Sequence, residues 1–464
     1  MTFQRFRGFS MFETINPATG TAGTPIPMLD AAGIEARVAL AAHAYRHWRI
    51  TALDERTALL AAIADAFDTN QAELAEIATR EMGKTLKSAL AEVQKCVGGL
   101  RYYAEHGPEF LQSTETSTAT GRVVASWHPM GPVLAIMPWN FPYWQVVRFM
   151  APTIMAGNVG LLKHASITQG VAAAIERMVA DAGAPAGLFQ NLAIKSDAVA
   201  ALIDDDRIVA VTLTGSEGAG RNVAQAAGRA LKKVVLELGG SDPFIVMPSA
   251  DIEAAAKVAV TARNQNAGQS CICAKRMIVH ADVYQQFMAE FTAGMRAAKV
   301  GDPMADDTDV GPLSSAEQRD TVLAQVADAK AQGATLLFGA DQPAGAGAFL
   351  NPGVLVDIPR DAAILREEIF GPVAMVLKAG SLDEAIALAN DIPFGLGSSI
   401  WTNDPAEQAR FQRDIEAGMV AVNQMLASVP EAPFGGIKNS GHGRELGPWG
   451  MHEFMNLKAV LLKD

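Results

Sequence analysis

Between Asp30 and Gly107 apolar residues recur every three to four positions, and Leu86, Leu90, Val93, Val97 and Leu100 make one stripe. That period belongs to amphipathic helices, and with breaks at Gly83 and Gly107 it predicts three or four of them. The pattern changes over Thr114 to His128, where Thr, Ser and Val gather around a glycine as in a β-hairpin. A ribbon of this kind needs something to pack on. Beyond it, the short apolar runs GPVLAIMP, VGLLKH, LFQNLAI, IVAVTLTG and KVVLEL alternate with Ala-rich helical stretches. This alternation predicts a doubly wound parallel sheet with right-handed crossovers, whose ligands sit at the carboxyl ends of the strands. A second α/β block runs from about Gly240 to Val429, with PFIVM, RMIVH, PVAMVLK, SSIWT and MVAVN as its strands. No repeat and no low-complexity segment interrupts the series.

Composition narrows the function. A chain of 464 residues with 19% charged and 49% hydrophobic residues has ample material for a large core in two to four domains. The 38 Lys and Arg against 50 Asp and Glu leave a net charge of -12, which opposes binding to nucleic acid or to an anionic membrane. A small-molecule ligand is the better expectation. Three cysteines cannot staple a secreted scaffold, so a reducing compartment, the cytoplasm, is expected. The opening residues MTFQRFRGFSMFETINPATG lack the apolar core of a secretory signal. The most apolar stretch, Gly131 to Pro152, is cut by Pro138, Asn140, Pro142, Gln145 and Arg148, so no membrane span is predicted.

Several residues are candidates for chemistry. Gly268-Gln269-Ser270-Cys271-Ile272-Cys273 puts a cysteine just after a glycine turn among polar residues, which suits either a nucleophile or a structural thiol. A Cys pair with no second Cys/His cluster does not make a zinc site, so no metal is expected. His43 and His47 share a helix face without a third ligand and read as solvated. Cys96 sits beside the apolar stripe and reads as a buried structural thiol. Thr214-Gly215-Ser216-Glu217-Gly218-Ala219-Gly220 follows a strand and opens a helix, the context in which backbone N–H groups receive a pyrophosphate. Its glycines do not match G-x-G-x-x-G, and a close packing turn fits them equally well. Glu237, at the end of KVVLEL, is the matching ribose acid if the run binds dinucleotide.

Read together, these segments resemble the aldehyde dehydrogenase superfamily along essentially the whole chain. The resemblance rests on Pro138-Trp139-Asn140-Phe141-Pro142, Thr214-Gly215-Ser216, Glu237-Leu238-Gly239-Gly240, Gly268-Gln269-Ser270-Cys271, Glu368-Ile369-Phe370-Gly371-Pro372, and Pro433-Phe434-Gly435-Gly436 through Gly447, in that order. GRVVASWHPMGPVLAIMPWNFPYWQVVR and the Cys271-Ile272-Cys273 pair resemble bacterial succinate-semialdehyde dehydrogenases most. The resemblance implies a Rossmann-type cofactor domain (1–113 and 130–237), an α/β catalytic domain (238–446) and an oligomerisation ribbon (114–129) completed by the tail (447–464). An unpaired edge strand is a liability, so a homodimer or homotetramer is expected.

The resemblance also implies roles. Cys271 is the nucleophile, Asn140 and the Cys271 N–H hold the oxyanion, and Glu237 is the general base for thioester hydrolysis, displacing the ribose-acid reading. Trp139, Lys163, Ser166, Gly215, Ser216, Glu368 and Phe370 hold NAD or NADP, with Lys163 also assisting catalysis by ordering the cofactor ribose. Lys163-His164-Ala165-Ser166 has Ser where a glutamate is commoner; Ser tolerates a 2′-phosphate that Glu would repel, which favours NADP. Arg148 stands where related enzymes bind a distal carboxylate; the alternative is that it is simply paired with a structural carboxylate. A second arginine of those enzymes falls on Gln265, and Ser428 would complete the clamp. Tyr143, Trp144 and Phe434 either wall the entrance or belong to the core. Cys273 is a candidate for a strained, reversible bridge to Cys271. The implied reaction is NAD(P)-dependent oxidation of an aldehyde to its acid, succinate semialdehyde to succinate in particular. Two other classes share some of these residues: a catalytically silent dinucleotide-binding oligomer, which needs neither Cys271 nor Asn140, and a thiol esterase, which needs no dinucleotide.

Overall fold

The computed structural model describes residues 10–463. The first nine residues of the expected cofactor-binding segment and Asp464 of the tail lie outside them. Four helices open the chain: Ala31–Trp48, Leu53–Thr69, Gln71–Met82 and Leu86–Phe110. Asp30 caps the first by accepting from Gly33 N–H at 2.7 Å, and the third stops on Gly83, whose φ of 84° ends a helix without a Cβ penalty. Gly107 does not break the fourth helix as its composition predicted. Gly99 and Gly107 lie eight residues apart on one helix face, and side chains there would run into Trp144 and Met155. Their smallness lets the helix press onto Trp144–Met155, burying Val93, Val97 and Leu100.

The first sheet has six strands in the order Gly441–His442, Lys233–Glu237, Ala210–Thr214, Pro132–Met137, Val159–His164 and Phe189–Asn191. All are parallel except Gly441–His442, which runs antiparallel to Lys233–Glu237. The chain winds outward from Pro132–Met137 in one direction and then, from Ala210–Thr214, in the other. That reversal opens a crevice at the carboxyl ends of these two strands.

The second sheet has seven strands, ordered Thr335–Phe338, Gly353–Val356, Val373–Ala379, Ala274–His280, Asp242–Val246, Ser399–Trp401 and Ala421–Val422. Only the pair Thr335–Phe338 and Gly353–Val356 is antiparallel. Those two short strands were not among the runs that stood out in sequence. The side-chain period of two sends Ile245, Ile278, Met375 and Ile400 to one apolar layer and Phe244, Val246, Met277, Val279 and Val376 to the other. The first sheet and the opening helices share a separate cluster, which Phe434, Leu446, Met451, Phe454 and Met455 rejoin.

A three-stranded antiparallel ribbon stands apart. Met455–Leu462 pairs along the whole of Gly121–Pro129, from Met455 opposite Pro129 to Leu462 opposite Arg122, and Thr114–Thr118 flanks the other side. Leu457 and Leu461 are 53% and 79% exposed on one face of its edge strand. Among the described residues, no helix is long and apolar enough to cross a membrane.

Candidate active site

The crevice of the first sheet opens into a cavity of about 280 Å³ lined by Trp139, Asn140, Gly215, Ser216, Cys271 and Glu368, with Phe370, Gln145 and Gln318 also in its wall. Ser216 caps Glu217–Arg229, accepting from Ala219 N–H at 3.4 Å, so a thirteen-residue helix presents its N-terminus here. No backbone or side chain approaches the Cα of Gly218 on the side where a Cβ would stand. The edge of Trp139 meets the ring of Phe370 at 5.7 Å between centroids. Lys163 and Ser166 do not line this cavity. They stand at the end of the neighbouring strand and in the turn after it, with Lys163 buried and Ser166 exposed. Between them His164 donates from Nε2 to Pro142 O (3.0 Å) while Nδ1 accepts from Ala165 N–H (2.8 Å). Burial pushes its pKa down to about 4, so the neutral tautomer that makes both bonds persists and pins the turn carrying Asn140.

The nucleophile candidate rides on a strained turn. Helix Ile252–Asn264 ends, and Asn266, Ala267 and Gly268 follow at φ 53°, 54° and 73°. Left-handed non-glycine residues cost on the order of 1–3 kcal/mol each and persist only when the surroundings hold them. Here Arg263, fully buried, donates to the carbonyls of Gly268 (3.2 Å), Ile369 (3.2 Å) and Gly371. Lys275, also fully buried, donates to Ser270 O and Cys271 O, both at 2.8 Å, and pairs with Glu368 at 3.1 Å. Gly268 is required, since any Cβ would strike the Gly371 carbonyl. Sequence reasoning missed both cations; their signal was Lys and Arg within otherwise apolar runs. Burial pushes the half-buried Cys271 thiol up to about 12, while Arg148 and Lys275 pull the other way. Cys273 is buried, and its thiol faces the Gln265 carbonyl at 3.6 Å. Cys96 is buried as expected, its pKa raised by desolvation.

A hydrogen-bonded relay orients Asn140. Arg148 Nη2 donates to Gln145 Oε1 (3.1 Å), Gln145 Nε2 donates to Asn140 Oδ1 (2.9 Å), and Asn140 Nδ2 donates to Gln269 O (3.1 Å). The second Nδ2 proton is left for the cavity. Arg148 also donates to Thr214 Oγ1 at 3.1 Å, stacks over Phe434 at 4.6 Å and is ion-paired with the buried Glu445. Expected as a substrate ligand, Arg148 is therefore a structural partner too, because Glu445 would otherwise be an uncompensated buried charge. Glu237 packs beside Gly435 and this pair, lining neither cavity described here, and both its carboxyl oxygens are buried without a hydrogen-bond partner. Desolvation and the Glu445 charge raise its proton affinity well above that of an ordinary carboxylate.

On the far side of Cys271 a smaller cavity, about 60 Å³, is lined by Lys95, Trp144, Arg148, Gln265, Ser428 and Phe434. The two cavities meet at Cys271 and Gln145. Trp144 and Phe434 are walls, whereas Tyr143 is a core residue: its hydroxyl donates to Leu74 O at 2.9 Å and its ring packs edge-on against Phe67. Glu92, paired with Lys84, accepts from the N–H groups of Tyr143 (2.8 Å) and Trp144 (2.9 Å), capping the helix that bears Trp144, Gln145 and Arg148. Lys95 was not singled out in the sequence, where it reads as one polar position on a helix. His43 and His47 are exposed on their helix, ring centroids 5.0 Å apart.

Cys271 thus stands where two cavities adjoin, and residues 4–460 match the aldehyde dehydrogenase family, to which the chain belongs. Within it, the chain is 49% identical over 450 residues to "Succinate-semialdehyde dehydrogenase [NADP(+)] 1" of Mycobacterium tuberculosis, covering 96% of this chain and 98% of that protein. It is 50% identical over 452 residues to "Succinate-semialdehyde dehydrogenase [NADP(+)]" of Mycobacterium avium, covering 96% of each. Among solved structures, succinic semialdehyde dehydrogenase from Streptococcus pyogenes in complex with NADP+ superposes with a TM-score of 0.96 at 39% identity, over 98% of this chain and 100% of that one. The fold is that of aldehyde dehydrogenases.

The raised thiol pKa gives a direct test. An unperturbed thiol titrates near 8.5, whereas one held at about 12 has a thiolate fraction that grows roughly tenfold per pH unit throughout the range below. Iodoacetamide labelling of Cys271, followed by peptide mass spectrometry, should therefore still be climbing steeply between pH 8 and pH 9; a plateau in that interval contradicts the burial effect.

Proposed function

We propose that the chain oxidises succinate semialdehyde to succinate with NADP, NAD serving less well, as a cytoplasmic homodimer or homotetramer. The observation that carries this reading is the meeting of two cavities at Cys271, one at a helix N-terminus with a free Glu368 oxygen, the other walled by Lys95 and Arg148. The names of the mycobacterial relatives and of the streptococcal structure support the substrate and cofactor. Segments 1–113 and 130–237 serve the cofactor, 238–446 supply the nucleophile, and 114–129 with 447–464 join copies. The free thiols of Cys96, Cys271 and Cys273 suit a reducing compartment.

The residues present fit a dinucleotide. Trp139 and Phe370 offer flat walls, Gly215 and Ser216 offer backbone at a helix start, and Lys275 and the Gly240 N–H occupy only Oε1 of Glu368, leaving Oε2 for a ribose hydroxyl. Lys163, at the end of the neighbouring strand, and the exposed Ser166, in the turn after it, would take the adenosine ribose, where Ser leaves room for a 2′-phosphate. The bound dinucleotide supplies the oxidant, accepting one hydride. Cys271 first releases its proton to solvent water and then attacks the aldehyde carbon as thiolate, forming a C–S bond and moving the C=O electron pair onto oxygen. The free Asn140 Nδ2 proton and the Cys271 N–H, which has no partner among the described residues, receive that oxyanion. Loss of hydride leaves a thioester on Cys271. Glu237, with its raised proton affinity, takes a proton from water, the resulting hydroxide adds to the thioester carbon, and the C–S bond breaks to return Cys271. A side-chain rotation past Gly435 brings the carboxylate to that water.

Cys271→Ala should lower aldehyde oxidation by more than about a thousandfold while dinucleotide binding, read by fluorescence quenching, is kept. Glu237→Gln should give one burst of reduced cofactor equal to the enzyme concentration and then stall; steady turnover without a burst assigns the base elsewhere. Ser166→Glu should shift the NADP-to-NAD ratio of kcat/KM towards NAD by at least tenfold, because it sets an anion against the 2′-phosphate. An unchanged ratio would show that the ribose is gripped by other groups. For assembly, lysine at both Leu457 and Leu461 should dissociate the particle in analytical ultracentrifugation, since it charges the exposed apolar edge; an unaltered mass removes the ribbon from the interface.

A further inference from the structure

Within the small cavity, Lys95 has no carboxylate partner among the described residues. It projects from helix Leu86–Phe110, donates from Nζ to Ser428 Oγ at 2.7 Å, and lies 4.5 Å from the centre of the Trp144 ring. Trp144 Nε1 donates to the same Ser428 Oγ at 2.8 Å. With two donors already on its oxygen, the Ser428 hydroxyl must direct its own proton to a further acceptor. The other cation of this cavity, Arg148, is already neutralised by Glu445, and Gln265, where resemblance led one to expect a second arginine, is neutral. Lys95 therefore leaves the cavity with an uncompensated positive charge, partly desolvated, facing a pocket that ends at Cys271. Burying a cation without an anion is costly, and an anionic ligand offsets that cost.

We propose that Lys95, with the Ser428 hydroxyl, binds the distal carboxylate of the substrate and so selects short aldehydes with an acidic far end. The inference rests on the substrate reading given above and deepens it, by naming the cation that replaces a second arginine. Lys95 lies less than one helical turn from Glu92, and the close approach of their helix at Gly99 brings Lys95 over Trp144. A cavity of about 60 Å³ between Lys95 and Cys271 has room for a few carbon atoms only. Burial and the Arg148 charge lower the Lys95 pKa to about 8. Deprotonation then removes the anchor as pH rises through that value, so KM for an acidic aldehyde should climb above pH 8 while KM for a neutral one does not follow. The titratable groups acting on Lys95 are Arg148 and Lys84, which disfavour its proton, and Cys96 and Glu92, which favour it.

The test compares succinate semialdehyde with butanal on the full-length enzyme. In Lys95→Met the ratio of kcat/KM for succinate semialdehyde to that for butanal should fall about 10- to 150-fold, mainly through KM, the loss expected of one charge-assisted contact. Lys95→Arg, which keeps the charge, should recover most of that ratio. Competitive inhibition by succinate should weaken in Lys95→Met by a similar factor. If both aldehydes lose activity equally in Lys95→Met, with the ratio and the succinate inhibition unchanged, Lys95 merely braces Ser428 and Trp144 and the proposal fails while the substrate reading stands. A wild-type enzyme that oxidises butanal but not succinate semialdehyde overturns the substrate reading and this proposal with it.

Discussion

Two buried cations hold the active centre in a conformation that its own backbone disfavours. Asn266, Ala267 and Gly268 are left-handed, and the turn they form delivers Cys271 to the junction of the cavities. Arg263 and Lys275 offset that strain by bonding almost entirely to carbonyl oxygens of the turn and of residues 369–371. A buried guanidinium satisfied by several carbonyl dipoles is stable where an isolated one would not be. Because Lys275 also holds Glu368, one ammonium group sets both the nucleophile's carbonyl and a wall of the cofactor cavity.

Arg148 has a comparable role on the opposite side. It lies between Glu445, Thr214, Gln145 and Phe434, elements that arrive from widely separated parts of the chain. Through Gln145 it fixes the direction of the Asn140 amide, so that amide and the smaller cavity share one anchor. This sharing has a physical consequence: loss of Arg148 would leave Glu445 uncompensated and release Gln145, and with it the Asn140 amide. Lys95, tied only to Ser428 and Trp144, is separable from that network.

The two sheets contribute to the site in opposite senses. The first provides the carboxyl ends of its strands, following the usual rule for doubly wound sheets. The second provides the loops ahead of its strands: Cys271 precedes Ala274–His280 and Glu368 precedes Val373–Ala379. The crevice of the first sheet and Cys271 consequently face each other across one gap, with Phe434 and Leu446 returning to the first apolar cluster behind it.

Periodicity in the sequence determined the four helices, the ribbon, and the strands of both sheets that run five or more residues, since hydrophobic spacing directly encodes which face is buried. Motifs singled out Asn140 and Cys271, which the fold brings to one cavity, and Glu237, which lines neither cavity. Gly353–Val356 escaped, although shorter strands such as Ser399–Trp401 were read, because Pro352-Gly353 ahead of it and Pro359 behind it look like loop, and Gly107 misled because a glycine that permits close helix packing looks like one that ends a helix. Only the tertiary structure decided where polar side chains were satisfied. A lysine within a helical repeat carries the same signal whether it faces solvent or a pocket, so Lys95 stayed invisible until Gly99 set its helix against Trp144. Arg148 read either as a carboxylate ligand or as the partner of a structural carboxylate, and Glu445, nearly 300 residues away, is a partner that only the fold brings beside it. Long-range pairing of this kind depends on how layers stack, which local spacing does not specify.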